Sequence, residues 1–343
     1  MIPLSVLDLA TVASGSSPAQ ALRETTAMAV VVEQLGYHRF WVAEHHAMAA
    51  VASSAPAVLI AHVANATTTL RVGAGGVMLP NHAPLVIAEQ FATLEALHPR
   101  RIDLGLGRAP GTDRVTAHAL RRASDVQSTT FPHDVVELIT YLVPQATPPH
   151  PAPTPGAGYL PDIWLLGSST FSAQLAGQLG LPFSFAYHFA PAQLDEAVEV
   201  YRTNFRPSQF LAAPYVMVAA SVICAHDDET AQFLAGSNAL NVLQRARGRL
   251  GPLPSPDEAA NTVMSDDEAA FVADTLATHY IGSPAHVVNG LQLLQARTGA
   301  DEIMVSTRVH EFAARRSSFE LLARGWGLTP RDPSREREVD RVP

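Results

Sequence analysis

The stretch LSVLDLATVASGSSPAQALRETTAMAVVVEQLG, residues 4–36, decides how the chain folds. Leu4–Leu9 is a short apolar run, the pattern of a buried strand. Ser17 supplies an N-cap, Pro18 opens the helix Pro18–Leu35, and Gly36 stops it. A doubly wound nucleotide-binding sheet would need G-x-G-x-x-G directly after this strand, with an acidic residue about 20 positions on. The strand instead ends Asp8-Leu9-Ala10, without that loop.

Outward from this unit the alternation continues. Strands are expected at Arg39–Ala43, Leu70–Leu79, Ile102–Leu106, Ile163–Leu166, Phe183–Tyr187, Tyr215–Cys224 and Glu302–Ser306. Helices are expected at Ala55–Ala66, Pro84–Leu97, His133–Leu142, Ser172–Leu179, Gln193–Phe205, Asp228–Arg249, Asp266–Thr278, Pro284–Thr298 and Glu311–Trp326. Eight strand–helix units without a linker predict an α/β fold, a (β/α)8 TIM barrel with insertions, forming one domain over residues 1–328. Residues 109–161 form the expected insertion. Within it Pro144–Pro161 holds seven prolines in 18 residues, which excludes regular structure. Residues 248–267 are a candidate lid, and residues 329–343 a loose C-terminal tail.

Composition removes several function classes. Of the 343 residues 47% are apolar, enough for a full core. Only 16% are charged, against a usual ~25%, which hints at surface buried in an oligomer. The net charge of −9, with no basic run before the last few residues, disfavours nucleic-acid binding. A single cysteine, Cys224, excludes a disulfide framework or a cysteine metal site within one chain. There is no lysine, so Schiff-base enzymes and standard P-loops drop out. No leader pattern or membrane-length apolar run is visible, and a cytoplasmic protein is expected.

In a barrel the active site lies at the C-terminal strand ends. Strand two ends Glu44-His45-His46. Neighbouring strand residues point to opposite faces, so one histidine facing a pocket as acid, base or donor fits better than a metal pair. Histidines merely satisfied by backbone are an equal reading. Strand three carries Gly73, Gly75 and Gly76, read either as close approach of another body or as a β-bulge. Strand four ends Gly107-Arg108-Ala109, a fork donor for phosphate or a plain turn arginine. Strand five ends Gly167-Ser168-Ser169-Thr170-Phe171-Ser172 and opens into a helix, an anion site or an ordinary cap. Tyr187, His188 and Phe189 after strand six could form a substrate wall or loop packing.

Together these stretches resemble the bacterial-luciferase-like, flavin-dependent monooxygenases. The resemblance rests on Glu44-His45-His46, Gly73–Pro80, Arg101–Arg108 (RIDLGLGR) and Gly167–Pro182 (GSSTFSAQLAGQLGLP), and runs from Leu4 to about Leu322. It implies a (β/α)8 barrel, a homodimer, and His45 as the active-site histidine beside the flavin. It implies that Gly75 and Gly76, joined by a cis peptide, back the flavin ring. Arg108, Ser169 and Ser172, with the Thr170 and Phe171 amides, would contact the FMN phosphate. The activity implied takes reduced FMN (FMNH2) from a separate flavin reductase and oxygenates a small organic substrate with O2 through a C4a-peroxyflavin. Gly107 departs from the cysteine of luciferases proper, which leaves light emission in doubt and the substrate open. The alternatives are an F420-dependent hydride-transfer enzyme of the same fold and a metal-dependent barrel hydrolase using Glu44, His45, His82 or His188.

Overall fold

The computed structural model describes residues 1–109, 114–120 and 127–331. Most of the expected tail therefore lies outside the described residues, as does part of the insertion. The strands are β1 (Leu4–Asp8), β2 (Arg39–Val42), β3 (Arg71–Met78), β4 (Ile102–Gly107), β5 (Asp162–Gly167), β6 (Phe183–Phe185), β7 (Val216–Cys224), β8 (Tyr280–Gly282) and β9 (Glu302–Ser306). The helices are α1 (Pro18–Leu35), α2 (Pro56–Ala66), α3 (Pro84–Leu97), α4 (Arg114–Ala119), α5 (Gln127–Leu142), α6 (Thr170–Leu179), α7 (Leu194–Asn204), α8 (Asp228–Ala246), α9 (Pro256–Ala260), α10 (Asp266–Leu276), α11 (Pro284–Thr298) and α12 (Phe312–Trp326). Eight parallel strands, β1–β7 and β9, form a closed TIM barrel, with β9 between β7 and β1 and β6 paired to β7.

Strand β8 was not expected. It is three residues long and pairs only with the upper part of β7, Val222–Cys224, outside the barrel wall. A strand that short leaves no periodicity to read. Helix α9 was also missed, although its signature is local: Ser255 and Glu258 form a reciprocal capping box. α1 matches its expected bounds, with Ser17 accepting from the Gln20 N–H and Gly36 left-handed at φ 88°. Among the described residues, no helix is long and apolar enough to cross a membrane.

Alternate residues of each strand face the barrel interior and build it in layers. The lowest layer is polar. Arg39 bonds Glu302 at 2.8 Å and Asp103 at 2.9 Å, and Arg71 bonds Asp103 from the other side. Trp41 Nε1 also donates to Asp103, and Tyr215 Oη to Glu302. The next layer holds Leu7, Trp41, Trp164, Met217 and Met304, with the two indoles edge-on at 5.3 Å. Glycines make room for them. A Cβ at Gly73 would come within 2.8 Å of Trp41 Nε1 and one at Gly75 within 2.8 Å of Leu7. Above this layer lie the C-terminal strand ends, the mouth of the barrel.

Candidate functional site

Glu44, just past β2, is buried and organises one side of the mouth. Its Oε1 accepts from Nε2 of both His46 and His82 at 2.8 Å, and its Oε2 from the Met78 N–H at 3.0 Å. Burial pushes this carboxyl up, but the bonds from His82 and His46 outweigh it and hold it below its ordinary value. Glu44 thus ties the β2 end to the β3 end as an anion.

His45 points elsewhere, as the alternation required. Its backbone N–H is bonded to Ser53, while its buried Nδ1 has no partner. Burial, then the charges of Arg308 and Arg245, lower its proton affinity, so the ring is neutral near pH 7. A neutral imidazole with a free ring nitrogen can accept or relay a proton.

Gly75 and Gly76 lie on β3, the strand next to β2, and their peptide is cis. A Cβ at Gly76 would sit 2.7 Å from the Gly105 carbonyl oxygen, so neighbouring backbone already demands glycine there. The β3–β4 register also shifts between Ala74 and Val77. The bulge is present, and the bodies that approach these glycines closely are Leu7, Trp41 and the Gly105 backbone.

Arg108 follows β4, and α6 begins after β5, the next strand in the barrel. The Arg108 guanidinium stands 4.1 Å over the Phe171 ring. Ser169 is the α6 N-cap in extended geometry, yet its hydroxyl makes no capping bond. The first N–H groups of α6 therefore keep their donors for another acceptor, next to a positive charge and the positive end of the helix. Thr170 and Ser172 share this first turn, and Ser172 is buried. The fold thus gathers Arg108, Ser169, Thr170, Phe171 and Ser172, which are about 60 positions apart in sequence, into one cradle suited to a phosphate.

The three residues after β6 separate. β6 stops at Phe185, so Tyr187 is not a strand residue. Tyr187 is buried in the layer between barrel and helices, bonded to Tyr280 and beside Arg297, and is not brought to the mouth. His188 donates through Nδ1 to the Ala219 carbonyl at 3.2 Å, and Phe189 is 75% exposed. A carbonyl only accepts, so Nδ1 carries the His188 proton.

Arg308 was missed in the sequence. It continues the inward series Glu302, Met304, Ser306 by one more step of two, the signal that could have found it. Its NH2 group donates to Asn241 on α8 at 3.0 Å, and its Nε is buried without a partner. Burial and the neighbouring Arg245 both work against its charge. The candidate lid, residues 248–267, is tied to the loop after β1 through Leu253, which is fully buried and bonded to Val12 and Ser14. Glu44, His45, His82 and His188 do not converge as a ligand set. Among the described residues the group with metal-ligand spacing is His133, Asp134 and Glu137 on α5.

A family model of luciferase-like monooxygenases matches residues 2–302. A protein of Escherichia coli K12 named luciferase-like monooxygenase is 48% identical over 320 residues, covering 93% of this chain and 96% of that one. The N-acetyl-S-alkylcysteine monooxygenase of Bacillus subtilis 168 is 31% identical over 333 residues, covering 94% and 98%. The crystal structure of apo-MsnO8 superposes with a TM-score of 0.90 at 36% identity, covering 96% of this chain and all of that one. With the barrel closed and these matches spanning it, the chain belongs to the luciferase-like monooxygenase family.

Proposed function

We propose that this protein is an FMN-dependent monooxygenase that receives reduced FMN from a separate reductase and uses O2 to oxygenate a small organic substrate. The observation that carries the reading is the cradle at the start of α6, where Arg108 stacks on Phe171 beside N–H groups that Ser169 leaves uncapped. Reduced FMN, when bound, supplies the oxygen chemistry; the protein supplies binding, orientation and exclusion of water. In this reading Arg108, Ser169, Ser172 and the Thr170 and Phe171 amides hold the phosphate. Gly75 and Gly76 offer a surface without side chains to the flat ring. His45, neutral and open at Nδ1, exchanges a proton beside the reacting oxygen. His188 and Phe189 stand on the substrate side, while Tyr187 supports the wall from behind. Residues 248–267 cover the mouth and keep water out.

The protein works as a homodimer in this proposal, with Val58 of α2 and Val86 and Leu97 of α3 as exposed apolar residues available to the interface. The cytoplasm, where a reductase can hand over reduced flavin, is the proposed compartment.

The test mixes purified protein with photoreduced FMN and then with oxygenated buffer in a stopped-flow spectrometer. Reoxidation slower than in buffer alone is the expected result. Reoxidation at the free-flavin rate removes the reading. Parallel titration with F420 then decides for the hydride-transfer alternative if F420 binds and FMN does not.

A further inference from the structure

We propose that Arg308, assisted by Arg245, is the receptor for an oxyanion carried by the substrate, so that this enzyme acts on anionic small molecules. The inference rests on the monooxygenase reading and adds the substrate class to it.

Four other interior arginines have carboxylate or carbonyl partners. Arg39 pairs with Asp103 and Glu302, and Arg71 with Asp103 and Asp162. Arg315 also has a buried Nε and NH2 group without hydrogen bonds, but its charge is answered by Asp8 and Glu24 within 4.0 Å. Arg101 donates to the carbonyls of Leu70, Ala64 and Thr67. Arg308 breaks this pattern. Among the described residues no carboxylate lies within ion-pair distance of it or of Arg245. One of its donors reaches Asn241, and its Nε is buried and idle. A buried charged donor left unmade is costly, and the fold retains it.

The surroundings are built for a negative guest. Its charged neighbour is Arg245, and the nearby imidazoles His45, His188 and His279 are all biased towards the neutral form, first by burial and further by Arg308. On α8, Ser237 and Asn238 stand four and three residues before Asn241, and Arg245 four after it, so each lies about one helical turn from its neighbour along the side that bears Asn241. The Ser237 hydroxyl, a donor, is fully buried and without a partner. Asn241 anchors that face to Arg308.

Position separates this site from the phosphate cradle. Around the barrel the order runs β4, β5, β6, β7, β9, so Arg108 and Arg308 follow opposite strands of the ring of eight. His45, past the end of β2, lies two strands from each. The loops after the last two barrel strands are also where this fold commonly binds anions. A flavin phosphate held at Arg108 leaves Arg308 free, and a substrate anchored at Arg308 brings its body towards His45.

The experiment is isothermal titration of the FMN-loaded protein, and of the protein alone, with hexanoate, hexanesulfonate and hexanamide. Hexanoate or hexanesulfonate is expected to bind at least about tenfold more tightly than the neutral amide, as charge-assisted bonds require. Which of the two binds better names the oxyanion. Arg308→Gln should abolish that preference, Arg308→Lys should restore part of it, and Arg245→Gln, at an exposed position, should weaken it with the fold untouched. FMN affinity should change less than about twofold in all three. Equal binding of acid and amide overturns the proposal, as does no binding of any acid. An FMN affinity that falls in step with hexanoate binding also overturns it, because Arg308 would then serve the flavin. If FMN fails to bind, the monooxygenase reading falls, while the acid-over-amide preference of the protein alone still decides the oxyanion receptor.

Discussion

The two ends of the barrel interior treat charge in opposite ways. At the floor, Arg39, Arg71, Asp103 and Glu302 are interlocked, and Trp41 and Tyr215 donate to the same carboxylates. At the mouth, Arg308 and His45 keep buried nitrogens without partners. The same strands carry both ends: β2 runs from Arg39 to the approach of His45, and β9 from Glu302 to that of Arg308. A matched charge in a dry interior holds strands together, and breaking the match is expensive. An unmatched one costs stability and is kept where a ligand completes it. The floor therefore reads as structure and the mouth as function.

The comparison breaks most visibly at Asp103. Asp103→Ala removes the buried carboxylate shared by Arg39, Arg71 and Trp41, leaving Arg39 with Glu302 alone, and should cost ~3–5 kcal/mol in a urea unfolding curve. A loss no larger than that of a surface substitution would mean the floor network is not holding the barrel. At the mouth the largest effect belongs to His45. His45→Ala should lower product formation by about a hundredfold or more while FMN affinity stays within about twofold. Unchanged turnover would remove His45 from the proton step.

Arg308→Gln sharpens the contrast with a smaller number of opposite sign. Removing an unpaired cation should leave ligand-free stability unchanged or raise it by up to ~1 kcal/mol, whereas Arg39→Gln should lower it by several times as much. Equal losses in the two variants would erase the distinction between floor and mouth.

Acid should unfold the two ends in different windows. Burial lowers the His279 imidazole to about 4, with His188 and Arg308 adding to it, and His45 is lowered too. The unfolded chain takes up protons at these histidines from pH ~6.5 downwards while the folded chain resists, so stability begins to fall there. For His279 the loss stops growing once the pH passes about 4. Asp103 behaves differently: burial pushes its carboxyl up, but Arg39 and Arg71 hold it below its ordinary value. Its contribution is present above pH ~3.9 and is lost as the pH falls through the lower folded value. Urea midpoints collected against pH should show the upper window shrink in His279→Gln and the lower one vanish in Asp103→Ala. A His279→Gln profile that overlays the parent would place the upper window elsewhere.

Much of this was legible in the sequence. The strand and helix order was readable because each unit carries local punctuation, such as Ser17, Pro18 and Gly36 around α1, and a period that persists over many residues. β8 and α9 escaped because three and five residues carry almost no period. The two halves of the cluster at the start of α6 were legible, since Arg108 and Ser169–Ser172 each follow a readable strand. The Arg108–Phe171 stack and the uncapped Ser169 are tertiary facts. Tyr187 looked equivalent to His188 and Phe189, because only the early end of β6 turns it into the outer layer.

The sequence by itself determined the barrel and the strand ends that face its mouth, since both follow from short-range periodicity and capping. Only the tertiary structure decided which charges are answered. Arg39 meets Glu302 across 263 positions, and Arg308 meets Asn241 across 67. Ion pairing depends on distances of a few ångströms between remote residues, and sequence order carries no such distance.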